Sequence, residues 1–278
     1  MISNGADPRA ALIAAHPGHE LLLHRWMELH RPLVFLLTDG SGGGQSDRRS
    51  HSRTLLEAVG ASAGPVFGPF PDKAWYAAIL AGDLAPFLDA RDAIVEACVR
   101  AGVRTLVADA MEGFNPMHDL CGAMARAAAG RIAAALGEEV EVLEHPIERE
   151  WFDTTAARLV ALDGPALERK LAAAHRYAPL AAEVEQRAAS PRLALERLRP
   201  APGAEAWPRR PEQEPYYERF GRQRLEQGAY DRLITYAGHV RPIAVALGAL
   251  AHGEPVCASP PSSPCATNAP ISPTASRT

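Results

Sequence analysis

Three histidines stand where this chain has the means for chemistry. His16 and His19 bracket Pro17-Gly18 directly after the apolar run Ala11-Leu12-Ile13-Ala14-Ala15. His118 follows the loop that leaves a later apolar run, Thr105-Leu106-Val107-Ala108. Three imidazoles with a fourth position open suit a catalytic zinc or a comparable divalent ion, which acidifies water and polarises a carbonyl. The competing interpretation of any one histidine is a hydrogen-bonded turn or surface residue, and this is the expectation for His24, His30, His51 and His145. Two histidines three residues apart at one strand end, with a third at another strand end, favour ligation for His16, His19 and His118.

For these side chains to meet, strands must end side by side. The first half alternates short unbroken apolar runs with helical patterns, as expected of a parallel sheet covered on both faces. Further runs are Leu33–Leu37, Val66-Phe67 and Val140–Leu143, with helices expected over Ala85–Arg100 and from Asp119 onward. The fold class is therefore α/β, a Rossmann-like three-layer sandwich with a mostly parallel sheet and a helical C-terminal extension. Residues 1–150 form the expected catalytic core and 151–252 a mainly helical extension, including a long helix over Pro165–Ala189. Residues 253–278, rich in Pro, Ser, Ala and Thr, lack the apolar side chains to offset ordering and are expected to be disordered. In such a sheet, ligands sit at the carboxyl ends of the strands where the strand order reverses, which places the loops 15–20, 38–44 and 109–119 around one crevice.

Composition narrows the function. A chain of 278 residues that is 47% hydrophobic and 22% charged matches a globular protein that buries a full core. A formal net charge of -4 provides no basic footprint for nucleic acid or for an anionic membrane surface. No apolar segment reaches the length of a membrane span, and no signal-peptide pattern opens the chain. Cys98, Cys121, Cys257 and Cys265 form no CxxC pair, so reduced thiols in a cytoplasmic protein are expected. Gly42-Gly43-Gly44 is not followed by Gly-Lys-Ser/Thr, which excludes a P-loop, and no GxGxxG follows the first strand.

Ala15-His16-Pro17-Gly18-His19-Glu20, Leu37-Thr38-Asp39-Gly40 and Asn115-Pro116-Met117-His118 together resemble the motifs of the PIG-L/LmbE-like deacetylases. These are metal-dependent hydrolases of N-acyl glucosamine units and related amides. Gly68-Pro69-Phe70-Pro71-Asp72 resembles their segment after the third strand, and the similarity spans roughly residues 10–150. The resemblance implies that His16 and His118 are metal ligands, with His19 in place of an acidic third ligand. It implies a small-molecule substrate, an amino sugar derivative or similar polar metabolite.

The departures matter as much. Gly18 stands where the family keeps the aspartate that acts as general base, so Gly18→Asp is expected to raise amidase activity. Asn115 replaces a histidine expected to steady the tetrahedral intermediate, and its amide can still donate to an oxyanion. Glu20 and Asp39 are the candidate proton-handling carboxylates, and Glu112 and Asp119 the candidate substrate-binding ones. Each has a plainer alternative: a turn for Asp39, a helix first-turn carboxylate for Asp119, solvent for Glu20 and Glu112. The same fold serving as a metal or sugar binder without turnover is the second possibility. Tyr216, Tyr217, Arg222 and His239 either reach the pocket or pack the second half onto the sheet.

Overall fold

A computed structural model describes residues 10–42, 47–148, 158–180, 191–201 and 214–251. The expected tail at 253–278, with Cys257 and Cys265, lies outside them, as do residues 181–189 of the expected long helix. Among the described residues seven strands form one sheet: β1 (Ala10–Ala14), β2 (Leu33–Thr38), β3 (Ser62–Phe70), β4 (Thr105–Asp109), β5 (Glu141–His145), β6 (Arg158–Ala161) and β7 (Leu195–Pro200). Their order is β3-β2-β1-β4-β5-β7-β6. The first five run parallel, with Ala11 level with Leu33 of β2 and Leu106 of β4. β7 is antiparallel to both β5 and β6.

The unbroken apolar strands divide by alternation into two cores. Ala11, Ile13, Phe35 and Leu37 face α4 (Ala85–Ala101), α5 (Pro116–Leu136) and α8 (Arg241–Ala251), with α3 (Asp72–Ala81) beside them. Ala10, Leu12, Val34 and Leu36 face α1 (His24–His30), α2 (Arg49–Val59) and α6 (Gly164–Arg176) on the other side. Each large side chain buried this way contributes about 1.5–3 kcal/mol, so both faces hold the strands rigidly where their ends meet. No helix among the described residues is long and apolar enough to cross a membrane.

The second half holds α6, α7 (Tyr216–Glu226) and α8, and it also adds β6 and β7 to the sheet. Its strands escape the sequence pattern for a physical reason. In β7 the inward positions are Glu196 and Leu198, so a carboxylate interrupts the apolar alternation. Glu196 is buried because it accepts from the amides of Arg25 (2.8 Å) and Trp26 (2.7 Å) and from Lys170 Nζ (2.8 Å). That network pins α6 and β7 to α1. The helix from residue 164 ends at Arg176, a 3₁₀ turn follows at Ala178–Leu180, and this turn brings Leu180 against Gly18.

Candidate metal centre and cavity

The strand order reverses between β1 and β4, which makes their carboxyl ends the switch point. His16 lies just past β1, and Asp109 closes β4. His19 opens a 3₁₀ turn, His19–Leu23. His118 sits in the first turn of α5, where the Asn115 side chain caps the helix by accepting from Met117 N at 2.8 Å and Pro116 takes the position that needs no donor.

These elements bring the three imidazoles together. Ring centres are 5.3 Å apart for His16–His19, 5.2 Å for His16–His118 and 4.6 Å for His19–His118. Tetrahedral ligation at a Zn–N length of about 2.0–2.1 Å sets imidazole centres roughly 5 Å apart. His16 Nδ1 is 2.8 Å from Asp72 Oδ1 and 2.9 Å from Thr38 Oγ1, so its proton is held on Nδ1. The remaining His16 Nε2 is buried without a hydrogen-bond partner among the described residues, and so is His118 Nδ1. His19 Nδ1 donates to Asp109 Oδ2 at 2.7 Å, which leaves its Nε2 as the lone pair. Carboxylates behind imidazoles fix tautomer and ring orientation, as in metal sites generally. Buried, unpartnered imidazole nitrogens on converging rings fit a divalent ion.

A second donor set overlaps the first: His19, Asp109 and His118 offer ligand atoms within 4.8 Å of one another. Asp109 Oδ2 already accepts from Ala15 N at 2.9 Å and from His19, and His145 Nε2 lies 3.2 Å from Oδ1. Asp109 Oδ2 thus orients His19, while Oδ1, buried and without a hydrogen-bond partner among the described residues, keeps Asp109 in this second donor set. Burial lowers the His118 pKa well below its ordinary value, with His19 and His16 adding to it; burial also lowers that of His19 against the pull of Asp109. Both shifts favour the neutral form of the ring, which is the form that offers a lone pair to a metal. Burial works to raise Asp109, but His19 and His145 outweigh it and hold the carboxyl well below the usual range.

The position of the missing base is filled. Gly18 has φ +112, and a Cβ built there would lie 2.3 Å from Leu180 Cδ1. An aspartate at 18 thus meets both a left-handed backbone and an aliphatic side chain supplied by the second half of the chain.

The other sequence candidates separate by environment. Glu20 is fully buried; it accepts from Gly18 N at 2.7 Å and from Ser52 Oγ, bracing the His16–His19 loop from behind. Asp39 accepts from Ser41 N at 2.9 Å in its own turn. Asp119 accepts from the amides of Glu112 and Gly113, both at 3.1 Å, and burial pushes its pKa up to about 7 against those donors. Glu112 in turn accepts from Ile147 N (3.2 Å) and Glu148 N (2.8 Å). None of these four carboxylates lines the cavity, whereas the three histidines and Asn115 do. Arg222 pairs with Glu214, and His239 Nδ1 accepts from Thr235 N at 3.0 Å. Tyr216 lines the cavity, and Tyr217 is buried beside it.

That cavity has a volume of about 930 Å³. Asp72, Glu148 and Asp231 are carboxylates on its wall, and Tyr76 hydrogen-bonds Asn115 at 3.0 Å from Nδ2. Residue types in sequence did not single out Asp72, Asp109, Tyr76 or Leu180. Two had a signal: Asp109 is the last residue of an apolar strand, and Asp72 closes the Gly-Pro-Phe-Pro-Asp stretch after another. His145, expected to be an ordinary turn or surface residue, is 1% exposed and faces Asp109.

Fold and site together define a class: a doubly wound α/β chain with an imidazole cluster at its switch point, opening into a large cavity. No family model and no curated protein matches the chain. Solved structures do match it. It is similar to the A40926 pseudoaglycone deacetylase Dbv21 (17% identity, 69% of this chain and 96% of that one, TM-score 0.47). It is similar to a deacetylase of teicoplanin biosynthesis (15%, 68% and 97%, TM-score 0.48). A third is the conserved protein TT1542 from Thermus thermophilus (19%, 69% and 93%, TM-score 0.47).

Proposed function

We propose that this protein is a metal-dependent amide hydrolase that removes an acyl group from an N-acylated amine, of which N-acyl amino sugars are the case implied by the motif resemblance. The observation that carries this is the convergence of His16, His19 and His118, with a buried, unpartnered nitrogen on His16 and on His118 and carboxylates behind His16 and His19. These three residues would hold zinc or another divalent ion. When bound, the ion supplies Lewis acidity, acidifying water and polarising an amide carbonyl. In the net reaction the oxygen of water bonds to the carbonyl carbon, the C–N bond breaks, and the nitrogen leaves with a proton as an amine.

The chain's own residues have separable tasks. Asp72 and Asp109 hold the His16 and His19 tautomers. Asn115, held by the α5 cap and donating from Nδ2 to Tyr76 Oη, lines the cavity, where its second amide N–H would steady an oxyanion. Glu20, Glu112 and Asp119 act from behind by holding the loops that carry the histidines and Asn115, and Asp39 holds its own turn after β2. Leu180 over Gly18 favours a second possibility, a metal-binding protein without turnover, because a side chain at 18 would have to displace Leu180 Cδ1 from a left-handed backbone position.

Metal analysis of the purified protein and of His16→Ala, His19→Ala and His118→Ala tests the centre. About one equivalent of divalent metal in the wild type, lost or much reduced in each variant, is the expected result. Full occupancy in all three variants refutes it. Metal without turnover on a panel of N-acyl amines selects the second possibility.

A further inference from the structure

The cavity around the centre is far larger and less polar than an acetyl amide on a sugar requires. At about 930 Å³ it lies at the upper end of pockets that enclose drug-sized ligands. One part of its wall is aliphatic, with Leu21, Leu22, Leu171, Leu180 and Leu193. Another part is aromatic and ordered. Phe114 and Tyr216 stack with ring centres 4.7 Å apart at 4°, and Phe220 continues the stack at 5.7 Å and 14°.

Two features mark this ladder as more than packing. First, it is keyed to the centre: Tyr216 N donates to Gly113 O at 2.7 Å, and the 113–116 loop leads directly into the turn bearing Asn115 and His118. Second, the end of the stack is not used up by the fold: Phe220, which lies beyond Tyr216, is 39% exposed, and Tyr230 on the same cavity wall is 45% exposed. The Phe114–Tyr216 stack joins α7 to the loop, and Phe220, one helical turn further on, carries the stack beyond that contact. Stacked rings left open toward a cavity present π-faces and apolar edges suited to another ring.

We infer that the protein selects N-acylated amines bearing a bulky apolar ring system, with the Phe114–Tyr216–Phe220 ladder receiving the ring; this rests on the hydrolase assignment above. The ring does not react. Its contact energy holds the amide near the histidines, and this makes ladder residues determinants of specificity rather than of chemistry.

The test compares kcat/KM of the full-length, metal-loaded protein for N-acetylglucosamine, N-acetyl-naphthylmethylamine and N-(naphthylacetyl)glucosamine. At least one naphthyl substrate is expected to exceed N-acetylglucosamine by roughly tenfold or more. Phe220→Ala and Tyr216→Ala should each cut that preference roughly 3- to 10-fold, mainly through KM. Titration of the two naphthyl products, naphthylmethylamine and naphthylacetate, supplies a readout independent of turnover, with Kd for one of them rising in Phe220→Ala. Binding that depends on Phe220 without turnover of any amide supports the ring subsite and overturns the hydrolase assignment. Turnover with no naphthyl preference, unchanged in both variants, overturns the ring subsite and leaves the hydrolase assignment standing. Folded wild-type protein with neither ring binding nor ring preference also overturns it.

Discussion

Adding a single carbon at Gly18 is the sharpest perturbation this site offers. In Gly18→Ala the new Cβ would lie 2.3 Å from Leu180 Cδ1, and φ +112 is a conformation that L side chains rarely adopt. Backbone strain of this kind costs about 1–3 kcal/mol, and overpacking a filled site costs about 1–3 kcal/mol more. The sum, roughly 2–6 kcal/mol, lowers Tm by at least about 4 °C for a chain of this size. Leu180→Ala relieves the clash but not the strain. Urea unfolding of wild type, both single variants and the double variant should therefore give a favourable coupling of about 1–3 kcal/mol. Additivity within about 0.5 kcal/mol would refute the contact between the two halves of the chain at this point. The same geometry reverses the expectation from sequence: Gly18→Asp should not raise amidase activity alone, because the carboxylate must displace Leu180 to enter the site.

Other predictions rest on named contacts. Asp109→Asn removes the charge that holds His19 Nδ1 at 2.7 Å, and metal affinity should fall about 10- to 100-fold by competition with a chelator. Lys170→Met leaves Glu196 buried without its cation and should destabilise by about 3–5 kcal/mol, part of which returns in Lys170→Met/Glu196→Gln. Burial, helped by Lys170, Arg169 and Arg176 and opposed by Glu28, lowers the His24 pKa to about 4. The unfolded chain protonates near 6.5, so the stability due to neutral His24 is complete above that pH and is lost as pH falls toward 4, a total of about 3 kcal/mol. His24→Gln should flatten the urea midpoint against pH in that window; an unchanged slope would contradict it.

Much of the first half is legible in the sequence. The apolar runs at 11–15, 33–37, 105–108 and 140–143 fall on β1, β2, β4 and β5, because strands covered on both faces are apolar through most of their length, with the buried polar residues Asp109, Glu144 and His145 at the carboxyl ends of β4 and β5. The same rule hides β7, where Glu196 occupies an inward position and is tolerated only because two amides and Lys170 reach it from elsewhere. Histidines at strand ends are legible too, since the switch-point rule needs only strand order. Carboxylates are not, because a side chain's hydrogen-bond partners are set by distant backbone. Glu20, Asp39, Glu112 and Asp119 look like site residues in a string of letters, yet each is committed to amides behind the cavity. Asp72 and Asp109, which stand behind the imidazoles, lie 56 and 93 positions from His16 in the chain.

The sequence by itself determined an α/β sheet, its parallel core and the cluster of histidines at its edge, because these depend on local apolar patterning and on residues placed at strand ends. Only the tertiary structure decided which nitrogen of each imidazole is occupied, that Leu180 fills the space at Gly18, and that α7 stacks its rings beside the centre. Those outcomes depend on contacts between segments far apart in the chain, such as Phe114 with Tyr216 and Gly18 with Leu180, which no local pattern encodes.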